Sequence, residues 1–317
     1  MTPREEFINA LEIGPPTGHV PTFELVFFLT MEAFGKVFPG HRRFTQWDQM
    51  SDRERQMQIT DAAEVFIRTA RAYGHNAIFV HAFHGPDNPL QLIAGKIREL
   101  TGDQFFLTRH GDATFSLPSG EQMVEFSYRL ADDPDGVHRY AAERVDKALA
   151  RSEAEMDLGL WDGMTLCADY CFNTGPFLSP GQFGEFVTPY LARLVQGYRD
   201  QGYYVIKHTD GDIMPIIDQL VQCRPHALHS LDPQARVDIA EVKRRYGGEI
   251  CLIGNVNCAL LQTGTDEQCI ESARYCIRHG MPGGGYIFST SNCVYTGMPL
   301  ERYDLINRVW RDEAVYP

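Results

Sequence analysis

Short apolar runs alternate along this chain with longer stretches in which apolar positions recur every three to four residues. The runs are "HVPTFEL" (19–25), "AIFVHAF" (77–83), "QFFLTRH" (104–110), "MTLCADY" (164–170), "YYVIKH" (203–208), "ALHSLD" (227–232), "ICLIGNVN" (250–257) and "YIFSTSN" (286–292). Runs this short and this continuously apolar predict strands buried on both faces, as in a parallel sheet with helical crossovers. The stretches between them carry helix-start signals. "SPGQFGEFVTPYLARLVQGY" opens with Ser179, Pro180 and Gln182, and "TDEQCIESARYCIRHG" opens with Thr265 and Gln268. In each, a hydroxyl stands three residues before a side chain that can reach back to it. Gly280 stands where the second of these helices is expected to end. "VDIAEVKRRYGG" predicts a short amphipathic helix, and "TPREEFINALEIG" an N-terminal helix that closes the bottom of a barrel. Eight β units with helices between them predict an α/β chain folded as a (β/α)8 TIM barrel.

The spacing is uneven between the third and fourth strands. There "DATFSLPSGEQMVEFSYRL" alternates like a hairpin, and after the acidic break "ADDPDG" comes a helix, "VHRYAAERVDKALARSEAEM". The expectation is a single barrel domain over residues 1–317 with an inserted hairpin and helix at about 111–158.

In such a barrel the chemistry sits at the C-terminal ends of the strands. The expected strand ends offer Glu24, His81, His84, His110, Asp112, Asp169, His208, Asp210, His229, Asp232, Asn255, Asn257, Ser289, Asn292 and Cys293. Seven of the eleven histidines, with His75 and His226 more loosely placed, fall at or near these ends. In "KHTDGD" the residues His208 and Asp210 are i and i+2, so an extended backbone points both to one side. The alternatives at this point are a loop of solvated charges and the floor of an active site. On the second, a third ligand from another strand end leaves one position open for a catalytic metal, and Cys293, just past the last strand, is placed to supply it.

Composition narrows the field. A net charge of −13 without a basic stripe excludes a nucleic-acid partner. No apolar run approaches the length of a membrane span, and the most apolar stretch, "VPTFELVFFLTMEAF", is broken by Pro and Glu and lacks a basic leader, so neither a membrane anchor nor a signal peptide is expected. The eight cysteines include no C-x-x-C pair and sit mostly in apolar patterns, which predicts reduced thiols in a cytoplasmic protein. A homodimer is the default oligomeric expectation.

The opening "TPREEFINAL…VPTFEL", then "DYCFNTGPFLSPGQFGEFVTPYL", "KHTDGDIMPIIDQL", "IGNVNC" and the closing "PGGGYIFSTSNCVYTGMPLERY" resemble the uroporphyrinogen decarboxylase superfamily, and within it the corrinoid-dependent methyltransferase branch. The resemblance covers nearly the whole chain and implies a (β/α)8 barrel. It implies a zinc held after the fifth strand by a His-x-Cys pair and after the eighth by a further Cys. By position these are His208, Asp210 and Cys293, with Asp210 standing where the first Cys would be. Carboxylate for thiolate makes the donor set harder. Asp212 is then a candidate to orient His208.

The activity implied is transfer of a methyl group between a small methylated substrate and the cobalt of cobalamin carried on a partner corrinoid protein. No D-x-H-x-x-G corrinoid motif occurs in this chain. The harder donor set favours an oxygen donor, and hence O-demethylation of a methyl ether. Glu24, Asp169 and His81 are then candidates for binding or protonating the substrate, and His84, Asn173, His229, Asn255 and Asn257 for hydrogen-bonding it. The decarboxylases themselves resemble each other in an arginine-rich segment near the first strand. Here that region reads "FELVFFLTMEAFGKVF", with no arginine from Phe23 until Arg42, so the clamp for a polycarboxylate is missing. Decarboxylation on the same fold and a non-catalytic accessory barrel are the alternatives.

Overall fold

Burial on both faces makes the apolar runs into parallel strands. The computed structural model describes residues 1–42, 46–81 and 89–317. Its strands are β1 (Ala77–Phe79), β2 (Phe106–His110), β3 (Gly163–Leu166), the short hairpin β4 (Cys171–Phe172) and β5 (Gly175–Pro176), then β6 (Tyr204–Thr209), β7 (Ala227–Ser230), β8 (Cys251–Val256) and β9 (Tyr286–Thr290). All but the hairpin form one seven-stranded parallel sheet in the order β1-β2-β3-β6-β7-β8-β9. Val205, Ile206, Leu228, Leu252, Ile253 and Ile287 are at most 1% exposed, so both faces of the sheet are covered.

The remaining stave is the segment around Thr22. It makes a parallel bridge to Phe288 of β9, and Phe288 N–H donates to Pro21 O (2.8 Å). On its other edge Asn76 N–H, just before β1, donates to Thr22 O (2.8 Å). The first and last strands are thus joined and the curled sheet closes as a TIM-type barrel. Pro21 carries no N–H, which keeps this ladder to a single bridge where a regular strand was expected. The N-terminal helix Pro3–Leu11 plugs the bottom, with the Phe7 ring 4.8 Å from Phe106 and 5.7 Å from Phe23.

The helices begin where their caps dictate. Ser179 with Gln182 and Thr265 with Gln268 both close reciprocal capping boxes. The second of these helices runs through Gly280 and is capped by Met281, one residue beyond the expected end.

The insertion differs from expectation. In place of a hairpin, Gln122–Asp132 is a helix, followed by the helix Pro134–Ala154, which Asp133 caps through Gly136 N–H (2.9 Å). The alternation was produced by Val124 and Tyr128, which are 58% and 66% exposed. The residues that pack are Phe126 and Leu130, four apart, with the Phe126 ring 5.1 Å from Phe115. Packing selects the helical period.

No helix among the described residues is long and apolar enough to cross a membrane. All eight cysteines are free thiols.

A candidate metal centre at the mouth of the barrel

β6 ends in His208 and Thr209, and the chain turns out through Asp210 and Gly211. Gly211 has φ +83°, and a Cβ there would lie 2.5 Å from Cys171 O of the β4 hairpin. Only glycine lets the hairpin backbone rest on this loop. Gly211→Ala is therefore expected to cost about 2–3 kcal/mol in chemical denaturation, through a disfavoured φ and an overpacked contact.

The turn brings three ligand-capable groups together. One donor atom each from Asp169, His208 and Asp210 lies within 4.8 Å of the other two. His208 Nε2 is 3.8 Å from Asp169 Oδ1 and 3.8 Å from Asp210 Oδ1, beyond hydrogen-bond range but well spaced for a shared ion. The other face of the ring is taken: His208 Nδ1 is 2.7 Å from His229 Nδ1. That contact needs one protonated nitrogen and one lone pair. With His208 as the donor its Nε2 is left as a lone pair facing the carboxylates, and His229 Nε2–H points to Ser289 Oγ at 3.4 Å.

Asp210 is held at both oxygens. Ser230 Oγ–H donates to Oδ1 (2.6 Å) and Asn292 Nδ2–H to Oδ2, while Asp210 N–H donates to Asp169 Oδ1 (3.0 Å). Burial pushes the Asp210 carboxyl up to about 7, reinforced by the charges of Asp169 and Asp232 and opposed by the Ser230 bond. Burial lowers His208 to about 4, so the ring is neutral at pH 7. Two carboxylates beside a neutral imidazole make an arrangement that a cation would complete.

The other expected site residues are scattered. Cys293 lies outside this group of donor atoms. It is half-buried against the hydrophobic core, its carbonyl accepts the Cys258 thiol (3.5 Å), and burial raises its thiol far above the usual range. Glu24 is inside the barrel wall, 5% exposed, and accepts from Thr290 Oγ1 (2.5 Å), Thr290 N–H (3.2 Å) and Ser289 Oγ (3.4 Å). His229 lies behind His208. Asn255 does not face the mouth: its Nδ2 donates to Leu231 O (2.8 Å) and Val237 O (3.3 Å), and its Oδ1 accepts the Cys276 thiol (3.2 Å). Asn257 caps the helix Cys258–Thr263. Asn173 is exposed at the tip of the β4–β5 hairpin. His81 sits by the rings of Phe79 and Phe38, at 5.4 and 6.5 Å. His84 lies outside the described residues.

Asp212 does not orient His208, because its carboxylate accepts Met214 N–H (3.1 Å); His229 takes that place. His75 and His226 precede β1 and β7 and so belong to the opposite end of the barrel. Ser230 as a clamp on Asp210 was not foreseen. It is the β6–β7 register, which sets Ser230 opposite Thr209, that brings it to Asp210, and no local sequence pattern announces that pairing.

Residues 164–310, which hold the whole candidate centre, match the family model of uroporphyrinogen decarboxylase. A uroporphyrinogen decarboxylase of Photobacterium profundum is 21% identical over 234 residues, 68% of this chain and 62% of the relative. One of Thioalkalivibrio sulfidiphilus is 24% identical over 203 residues, 60% of this chain and 53% of the relative. The matched part thus spans less than two thirds of either relative. A solved methyltransferase from Methanosarcina mazei superposes with a TM-score of 0.72 at 14% identity, covering 98% of this chain and 99% of that one, which establishes a shared fold. Residues 164–310, somewhat under half of the chain, are thus similar to the uroporphyrinogen decarboxylase family, and the named relatives carry the same likeness.

Proposed function

We propose that the chain is a metal-assisted methyltransferase that moves the methyl group of a small methyl ether to the corrinoid of a partner protein. The observation that carries this reading is the His208 ring, with Nδ1 engaged by His229 and Nε2 presented between two carboxylates. The solved methyltransferase of the same fold supports it.

The implied zinc fits these residues. One imidazole nitrogen and two carboxylate oxygens are ordinary zinc donors, and three protein ligands leave a position open. The set is harder than imidazole with two thiolates, which suits an oxygen-bearing substrate. When bound, such an ion stabilises the charge that develops on the ether oxygen as the methyl group departs. His208, Asp169 and Asp210 would hold the ion, with His229 keeping the His208 proton at Nδ1 and Ser230 and Asn292 fixing the Asp210 carboxylate. In the transfer the ether oxygen would keep the electron pair of the broken carbon–oxygen bond and take a proton, and the reduced corrinoid of the partner protein would supply the pair that binds the methyl group. No protein nucleophile is required.

Decarboxylation is the second reading, favoured by the names of the curated relatives. The absence of arginine from residues 23–38 stands against a polycarboxylate substrate. Incubation with a reduced corrinoid protein and a panel of methyl ethers tests the two. Methylation of cobalt, followed by its absorption spectrum and abolished by His208→Ala, is the expected result. CO₂ release from a porphyrinogen with no change at cobalt would replace the first reading with the second.

A further inference from the structure

Directly behind the candidate centre lies a second pair of charges that the proposed chemistry does not touch. Lys207 of β6 is 0% exposed, and its ammonium donates to Asp112 Oδ2 at 2.9 Å; the Asp112 side chain is 4% exposed. Both are withdrawn from water, and a hydrophobic pair of similar volume generally serves stability as well. Their contacts suggest another purpose.

Asp112 Oδ2 also accepts Ala168 N–H (2.8 Å), while Lys207 Nζ donates to Ala168 O (2.8 Å). The ion pair therefore grips both polar groups of the residue before Asp169. The residue after it is gripped too. Thr114 Oγ1, bonded to Asp112 Oδ1 (2.6 Å), meets the Tyr170 hydroxyl (2.6 Å), and the Lys207 ammonium lies 4.1 Å from the Tyr170 ring centroid. Asp169 itself is loosely held: its side chain is 43% exposed and its carboxylate accepts Asp210 N–H (3.0 Å).

We infer that Lys207 and Asp112 are positioning residues, a buried clamp that holds the Ala168 backbone on one side of Asp169 and the Tyr170 side chain on the other, so that the Asp169 carboxylate faces His208. The inference deepens the metal-site reading and rests on it for its functional meaning. Lys207→Met alone leaves Asp112 buried and unpaired, which risks the fold, so the informative protein is Lys207→Met/Asp112→Asn, which buries no charge. The control is Asp162→Asn. Asp162 pairs with Arg98 (2.6 Å) just before β3, so its loss weakens the barrel at the far end from Asp169.

Zinc titration and metal-free crystal structures decide the matter. Expected are a zinc affinity lowered about 10- to 100-fold in the double variant, as for other groups that orient ligands, and an Asp169 carboxylate displaced from His208 by more than about 1 Å, beyond ordinary side-chain positional spread. Asp162→Asn keeps the native zinc affinity. An Asp169 that stays in place overturns the clamp, whether zinc affinity falls or not. If the native protein takes up no zinc, a displaced Asp169 still upholds the clamp while the metal reading falls.

Discussion

His208→Ala and Asp169→Ala each lower zinc affinity by at least about 100-fold, and Cys293→Ala changes it by less than about threefold; competition against a chromophoric chelator measures both. The contrast follows from geometry. His208 Nε2 faces both carboxylates at 3.8 Å, whereas the Cys293 sulfur lies outside that group of donor atoms. A pH series adds a second signature. Zinc must displace the proton from Asp210, whose carboxyl is held up to about 7, while His208, at about 4, is already neutral there. Affinity therefore rises about tenfold per pH unit below 7 and levels off above it. Asp210→Asn binds more weakly and loses that slope. A Cys293→Ala protein that no longer binds zinc would restore the thiolate to the ligand set.

The parts of this centre that could be read from the sequence are the local ones. His208 and Asp210 are two apart on an extended segment, and backbone geometry alone puts them on one side. Asp169 comes from a different strand, and its meeting with His208 depends on the β3–β6 pairing, in which Leu166 is set opposite Lys207. One chain of letters does not specify such a register. Nearness to a strand end is what points to Asn255, inside the end of β8, and to Cys293, past β9, but near a strand end a side chain can face the mouth or the surrounding helices. Asn255 faces the helices. Lys207 did carry a signal: a lysine in the apolar run "YYVIKH" must find a buried partner. Nothing local names Asp112, 95 residues earlier, as that partner. The inserted segment failed for a different reason, since exposed Val124 and Tyr128 imitated a strand period that packing does not use.

Glu24→Gln is expected to match the metal-free native protein in stability at pH 5 and to exceed it by roughly 2–4 kcal/mol at pH 8. Burial raises the Glu24 carboxyl from 4.5 to about 8, despite donors from Thr290, Tyr303 and Ser289 that favour the charged form. Between those limits the folded protein holds a proton that the unfolded chain has released. Stability is therefore fully present below the unfolded value of 4.5 and is lost as pH rises through 8, by about 1.4 kcal/mol per unit. Asp210, raised from 3.8 to about 7, acts in the same direction over an overlapping window. Glu24→Gln consequently removes only part of the slope, and Glu24→Gln/Asp210→Asn removes most of it. Urea denaturation from pH 5 to 8 in the presence of a chelator keeps metal linkage out of the comparison. If Glu24→Gln is no more stable than the native protein at pH 8, the carboxyl is ionised in the folded state. The four oxygen and nitrogen donors around it would then be solvating a buried charge inside the barrel wall, and Glu24 would become a fixed anion three hydrogen bonds away from His208, through Ser289 and His229.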